Sequence, residues 1–161
     1  MKNIMRNKKA KNMQDSETEN TLIVSEPRGM YGSTLNFNPL YFRRKIQDGV
    51  SFDFYNKLST QLEFSEENWA DILSLSTKSL QRYSKEKEFK FKPIHSEKLL
   101  EIAEVVDLGK SILGNLANFN IWMNTPNLAL GNLKPKELIT DSYGKQMLID
   151  ELNRIEHGIF V

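Results

Sequence analysis

No cysteine occurs anywhere in the 161 residues. Disulfides, thiolate nucleophiles and cysteine-based zinc sites are therefore excluded, and a reducing cytoplasm is the expected setting. Histidine is almost as scarce. His95 and His157 are the only two and lie far apart, which leaves little for a His-based metal site or a nucleophile–histidine pair. No apolar run approaches the roughly 20 residues that a membrane helix needs. The basic N-terminus is followed by no apolar stretch, so no secretion signal is expected. Carboxylates are plentiful, but none pairs with a base, a glycine-rich phosphate loop or a set of metal ligands, so an enzyme is disfavoured.

What is present is unevenly placed. Residues 1–50 carry nine Lys/Arg against five Asp/Glu, residues 78–98 seven against three, and residues 101–161 five against eight. A basic middle beside an acidic end points to two different partners on one molecule. Residues 1–20 have almost no apolar content and are expected to be disordered in isolation. Met5, Met13 and Met30 offer alternative starts before Pro39. The run T-L-I-V at 21–24 is β-prone but isolated before Pro27 and Gly29.

From Pro39 onward the pattern is helix after short helix. Pro39 and Gly49 bracket one. Ser51 caps an amphipathic helix over 51–62, with Phe54, Leu58 and Leu62 four apart. Ser65, three residues before Asn68, opens another whose inner face is Trp69, Ala70 and Leu73. The residues L-S-T-K-S-L-Q-R-Y-S-K at 75–85 follow directly, with Leu80 as the main apolar anchor. The segment 86–93 is expected to be an extended linker closed by Pro93. Ser96 is then expected to cap a long helix in which Leu99, Ile102, Ala103, Val106 and Leu113 keep helical spacing and Gly114 is the stop. A final helix over 142–158 carries the stripe Leu148, Leu152 and Ile155. With so little strand signal the expected class is all-α.

Two helices three to four residues apart, 65–73 and 76–85, have the layout of a helix-turn-helix. Its second helix would expose Thr77, Lys78, Ser79, Gln81, Arg82 and Lys85. Lys and Arg there can donate to guanine and Gln can pair with adenine, while Lys87, Lys90 and Lys92 would reach phosphates. The same residues also suit a plain helical hairpin with a solvated basic face, and spacing leaves both readings open.

Downstream, Pro126, Gly131 and Pro135 crowd into W-M-N-T-P-N-L-A-L-G-N-L-K-P-K-E-L-I. Thr125 is read as an N-cap with Pro126 at the first helical position, and Gly131 ends that helix after barely a turn. Pro135 starts a second helix of similar length. The result is a compact knot of turns directing Leu128, Leu130, Leu133 and Leu138 to different neighbours. Trp122, Leu130 and Leu138 are expected to close the core.

The runs S-E-K-L-L-E-I-A-E-V, N-F-N-I-W-M-N-T-P-N-L-A-L-G-N-L-K-P-K-E-L-I-T-D-S-Y-G and I-D-E-L-N-R-I-E-H-G resemble the C-terminal domain of Xre-type antitoxins. These belong to RES–Xre toxin–antitoxin pairs and are also grouped as Xre/MbcA/ParS toxin-binding proteins. I-Q-D-G-V and W-A-D-I-L-S-L-S-T-K-S-L-Q-R resemble the family's helix-turn-helix domain. The resemblance covers roughly residues 40–161. Where the family often carries a second Arg after T-L-x-R, this chain has Ser79-Leu80-Gln81-Arg82-Tyr83.

The resemblance implies three regions: a tail over 1–38, a helix-turn-helix DNA-binding domain over 39–93 and a helical toxin-binding domain over 94–161. It implies a cytoplasmic, dimeric antitoxin, with no catalysis or cofactor of its own. Such a protein would cover the active site of a RES-domain toxin that consumes NAD or transfers ADP-ribose from it. It would form a larger hetero-oligomer with that toxin and bind its own operator DNA. Toxin contact would fall to Trp122, Asn124, Pro126, Asn127, Arg154, His157, Gly158, Ile159, Phe160 and Val161. The apolar end Ile159-Phe160-Val161 would then reach into the NAD pocket; the alternative is that it folds back as a helix-end contact. A helix-turn-helix regulator with no toxin partner is the competing reading.

Overall fold

Pro39 opens the first helix, α1 (Pro39–Asp48), and Gly49 follows its end with φ +78°. A Cβ on Gly49 would also press on the Phe91 carbonyl, so both backbone and space require glycine here. The computed structural model describes residues 39–158. The run at 21–24, the expected disorder of residues 1–20 and the apolar end Ile159-Phe160-Val161 lie outside the described residues. Helix α2 (Phe52–Ser59) is capped by Ser51, whose hydroxyl accepts from the Phe54 amide at 3.2 Å. It stops short of the expected end at 62, although Leu62 is still buried. Helix α3 (Glu66–Ile72) starts with a reciprocal capping box between Ser65 and Asn68, and α4 (Thr77–Tyr83) with a Ser76 cap. Then come α5 (Pro93–Leu113), α6 (Leu116–Asn124), a 3₁₀ turn at Leu128–Leu130, α7 (Pro135–Leu138) and α8 (Ser142–Glu156). The regular structure among the described residues is all-α, with two isolated antiparallel bridges, Ser51 to Lys90 and Asn127 to Leu133.

The segment before α5 differs from the expected linker. Phe91 is buried and Phe89 packs beside it, because the alternation Phe89-Lys90-Phe91-Lys92 turns the two rings to one side and the two lysines to the other. Phe89 stacks on Tyr83 with ring centroids 3.9 Å apart, and Phe91 lies among Phe52, Tyr55 and Tyr83. The Phe91 amide donates to the Val50 carbonyl at 2.9 Å.

Ser96 is not the cap of α5. The helix starts three residues earlier at Pro93, whose fixed φ and missing N–H suit a first helical position. Ser96 is fully buried instead. Its hydroxyl accepts from the Val50 amide at 3.1 Å and donates to the Phe91 carbonyl at 3.0 Å, tying three segments at one point. Beyond it Leu99, Ile102, Ala103 and Val106 of the expected stripe are buried and Leu113 only partly so, while Leu100, Val105 and Gly109 are buried as well. A helix buried over so wide an arc has to be covered by more than one neighbour, and α5 packs against α1, α2, α6 and α8, leaving Glu97, Glu101 and Glu104 along its polar side. Phe119 of α6 lies so close to Gly109 that a methyl group there would collide with its ring. Lys145 of α8 pairs with Glu104 at 2.7 Å and Glu101 at 3.8 Å, drawing the start of α8 onto α5. One buried cluster runs from Val50 to Leu152 through both halves.

Replacing Ser96 with Ala should leave the buried Val50 N–H without a partner and cost about 1–3 kcal/mol. The urea midpoint at fixed m-value measures it; an unchanged midpoint would mean that this tie contributes nothing.

Candidate interaction surfaces

Helices α3 and α4 are joined by Leu73–Ser76, a turn that needs Ser74 at φ +52° and that is closed by the Leu75 amide donating to the Ala70 carbonyl at 2.8 Å. Ala70 and Leu80 are buried where the two helices meet, as the spacing requires. Lys78, Gln81 and Arg82 are exposed on α4 and Thr77 and Ser79 are half-buried at its start, whereas the helix ends at Tyr83 rather than 85, so Lys85 is exposed in the turn beyond it. The Ser76 and Ser79 hydroxyls share a hydrogen bond of 2.9 Å, so Ser79 helps to close the cap. Gln81 donates through Nε2 to Glu66 of α3 at 3.3 Å, and Arg82 lies 3.8 Å from Glu86 and over the Tyr83 ring. Gln81 and Arg82 therefore each have an acidic neighbour on the same surface.

The second surface is built around Asn127. Thr125 does not cap the short turn that follows. Its hydroxyl donates back to the Ile121 carbonyl at 2.7 Å and it ends α6, because a threonine one turn beyond a helical carbonyl satisfies that carbonyl first. Asn127 supplies the cap, its side-chain oxygen accepting from the Ala129 amide at 2.8 Å. Its Nδ2 donates to Glu151 of α8 at 3.0 Å, and the other Glu151 oxygen lies 3.3 Å from Arg154. Glu151 is buried, so an acid that would otherwise be costly to desolvate is held between an amide and a guanidinium. The loop closes on itself as the Asn127 amide donates to the Leu133 carbonyl at 3.0 Å, and Gly131 takes the left-handed turn.

Asn127 and Arg154 are thus brought together through Glu151, which sequence reasoning passed over. Its signal was an acid one residue from Leu152 of the apolar stripe and three before Arg154. Asn124 sits apart on α6, where Lys136 donates to it at 2.7 Å and its own amide donates to Asn120 and to Glu63. That last contact reaches the loop after α2. Nearby, Asn120 donates to the Gln61 carbonyl at 3.0 Å, and Lys110 to the Gln61 side chain at 3.3 Å. Burial pushes the Asp107 carboxyl up, opposed by Lys110 3.9 Å away. Trp122 is half-buried against the core beside Phe119 with a buried indole N–H that has no described acceptor, Leu130 is buried and Leu138 partly so. Pro126 is exposed. His157, with Nδ1 2.9 Å from the Asn153 carbonyl, and Gly158, at φ +68°, end α8 at the surface. Among the described residues no three Asp, Glu or His side chains gather as metal ligands, and no helix is long and apolar enough to cross a membrane.

These two surfaces correspond to two known domains. The family model of the antitoxin Xre-like helix-turn-helix domain matches residues 42–104, and that of the antitoxin Xre/MbcA/ParS C-terminal toxin-binding domain matches residues 108–158. The class is therefore that of antitoxins with a helix-turn-helix domain followed by a toxin-binding domain. The chain belongs to the Xre/MbcA/ParS antitoxin family. Antitoxin Xre of Yersinia enterocolitica is 26% identical over 116 residues, 71% of this chain and 78% of that protein. A chain from the crystal structure of the M. tuberculosis MbcT–MbcA toxin–antitoxin complex aligns with TM-score 0.49 and 25% identity, covering 66% of this chain and 93% of that one.

Glu151→Ala removes the inner hold on Asn127, a charged hydrogen bond worth about 1.5–3 kcal/mol. Amide hydrogen exchange at Ala129, Leu130 and Asn132 should quicken by roughly tenfold or more, with little change at Leu58 or Leu99. Uniform quickening would place the loss in the whole fold rather than in the loop.

Proposed function

We propose that this antitoxin neutralises a RES-domain toxin that consumes NAD or transfers ADP-ribose from it, by covering the toxin's active site. The single observation that carries the reading is the toxin-binding domain match over residues 108–158. The quoted resemblance to RES–Xre pairs supplies the class of toxin. In this reading the protein acts in the cytoplasm by binding, without catalysis or a cofactor. It works as a homodimer that forms a larger assembly with the toxin. The C-terminal residues Ile159, Phe160 and Val161 reach into the dinucleotide pocket, and Trp122, Asn124, Pro126, Asn127, Arg154, His157 and Gly158 support the contact.

The helix-turn-helix half binds operator DNA and represses the antitoxin's own operon. Support comes from the exposed Lys78, Gln81 and Arg82 on α4 and from Lys85, Lys87, Lys90 and Lys92, exposed in the segment after it. Thr77 and Ser79, at the start of α4, complete the reading surface.

Purification of the tagged chain from its native cells, with mass spectrometry of what accompanies it, tests the first half. NAD loss is then followed with the intact chain and with one lacking residues 157–161. A stoichiometric partner that destroys NAD only after truncation is the expected result. A partner kept silent despite truncation would end the plugging mechanism, and no partner at all would leave a regulator of transcription alone.

For the second half, Arg82→Ala should weaken operator binding by about tenfold or more in gel-shift titration at fixed salt, while toxin capture is unchanged. Equal loss of both would point to misfolding.

A further inference from the structure

Exposed apolar side chains are ordinary when scattered and informative when they gather. Ile121, Leu128, Leu133, Tyr143 and Met147 are all large, apolar, exposed and within the stretch matched by the toxin-binding domain. Two of them share one loop. The pairing of Asn127 with Leu133, together with the Asn132 amide donating to the Asn127 carbonyl at 2.9 Å, makes residues 127–133 a closed knuckle. From that knuckle Leu130 turns inward and is 3% exposed, whereas Leu128 is 74% and Leu133 44% exposed. A loop that served only to seal the core would have no use for two leucines on its outer side. Met147 stands one helical turn before Glu151, the residue holding Asn127, so α8 carries it toward the edge of the same loop.

The knuckle is also rigidly mounted. Its base is fixed by the Asn127–Glu151–Arg154 chain of contacts, and Gly131 sets its tip. A loop whose backbone is already held before association loses less freedom on binding, and apolar anchors ringed by polar groups carry most of an interface's affinity. Arg154, partly exposed behind the knuckle, supplies such a polar neighbour.

We propose that Leu128 and Leu133 are the apolar anchor by which this antitoxin grips its toxin, filling an apolar hollow on the toxin's surface. The inference rests on the toxin-binding reading above and refines it. Affinity resides in the knuckle, which leaves the C-terminal residues to act on the active site.

The test uses the full-length chain and purified partner toxin. Affinity and dissociation rate are measured for the wild type, for Leu128→Ser combined with Leu133→Ser, for Leu128→Ala alone, and for Ile94→Ser. Ile94 is 71% exposed on the first turn of α5, outside the matched toxin-binding stretch. The double variant should bind about 100-fold more weakly or worse, mainly through faster dissociation. Leu128→Ala should lose about tenfold, and Ile94→Ser should match the wild type. Melting curves of the free variants identify any that fail to fold, and Leu128→Ala, at a side chain with no core role, decides the matter if the double variant does. A double variant that folds and binds like the wild type overturns the anchor while leaving the toxin-binding reading intact. A wild-type chain that binds no toxin brings down both. A shift in the elution volume of the free antitoxin caused by the double substitution would assign the knuckle to a second copy of this chain, and would also overturn the proposal.

Discussion

Helix α5 carries buried side chains over more than half of its circumference, and covering them demands more than one neighbour. Much of the remaining structure answers that demand. α1 and α2 come from the helix-turn-helix half and α6 and α8 from the toxin-binding half, all four packed on the same twenty-one residues. Ser96 then fixes where α5 begins relative to Val50 and Phe91, both of which it hydrogen-bonds from a fully buried position. Gly109 fixes how closely α6 can approach. The two candidate surfaces stand at opposite ends of this chain of constraints. α4 is held by the aromatic cluster around Phe91, and the 127–133 knuckle by Glu151 of a helix that rests on α5.

The two surfaces are built by different means. On α4 the polar groups project from a helix only seven residues long, and its order depends on the Ser76 cap, Leu80 below and the acidic neighbours Glu66 and Glu86. A helix that short is marginal without such support. The knuckle uses no regular structure beyond one 3₁₀ turn. Its order comes from a side chain, Asn127, that bonds at once to its own loop and to a buried acid on another helix. Hydrogen bonds to a buried carboxylate are strong, and this one replaces the packing that so small a loop cannot provide.

Local chemistry made much of the fold legible. Ser51, Ser65 and Ser76 cap helices because each places an oxygen three residues before an unpaired amide, and Gly49, Gly114 and Gly131 stop helices because each takes a left-handed turn. The misreadings share a cause. Ser96 and Thr125 both look like caps by local spacing, yet each has a better partner elsewhere: Val50 forty-six residues away for the first, and a carbonyl of the preceding helix for the second. Phe89 and Phe91 were lost among lysines, since a two-residue alternation too short to form a strand still sorts its side chains. Asn127 and Arg154 were singled out by resemblance, but their connection through Glu151 spans 24 residues and is invisible to any local window.

The shared core also bears on how such a protein can change over generations. The two domain matches meet between residues 104 and 108, which reads like a natural point of exchange. In three dimensions it is the middle of α5, where Val105 and Val106 have no exposed surface at all. Recombination there would join half-helices whose buried faces were shaped for other neighbours. In the reading proposed above, a new operator or a new toxin is therefore more readily acquired by point changes on α4 or on the knuckle than by trading whole domains between relatives.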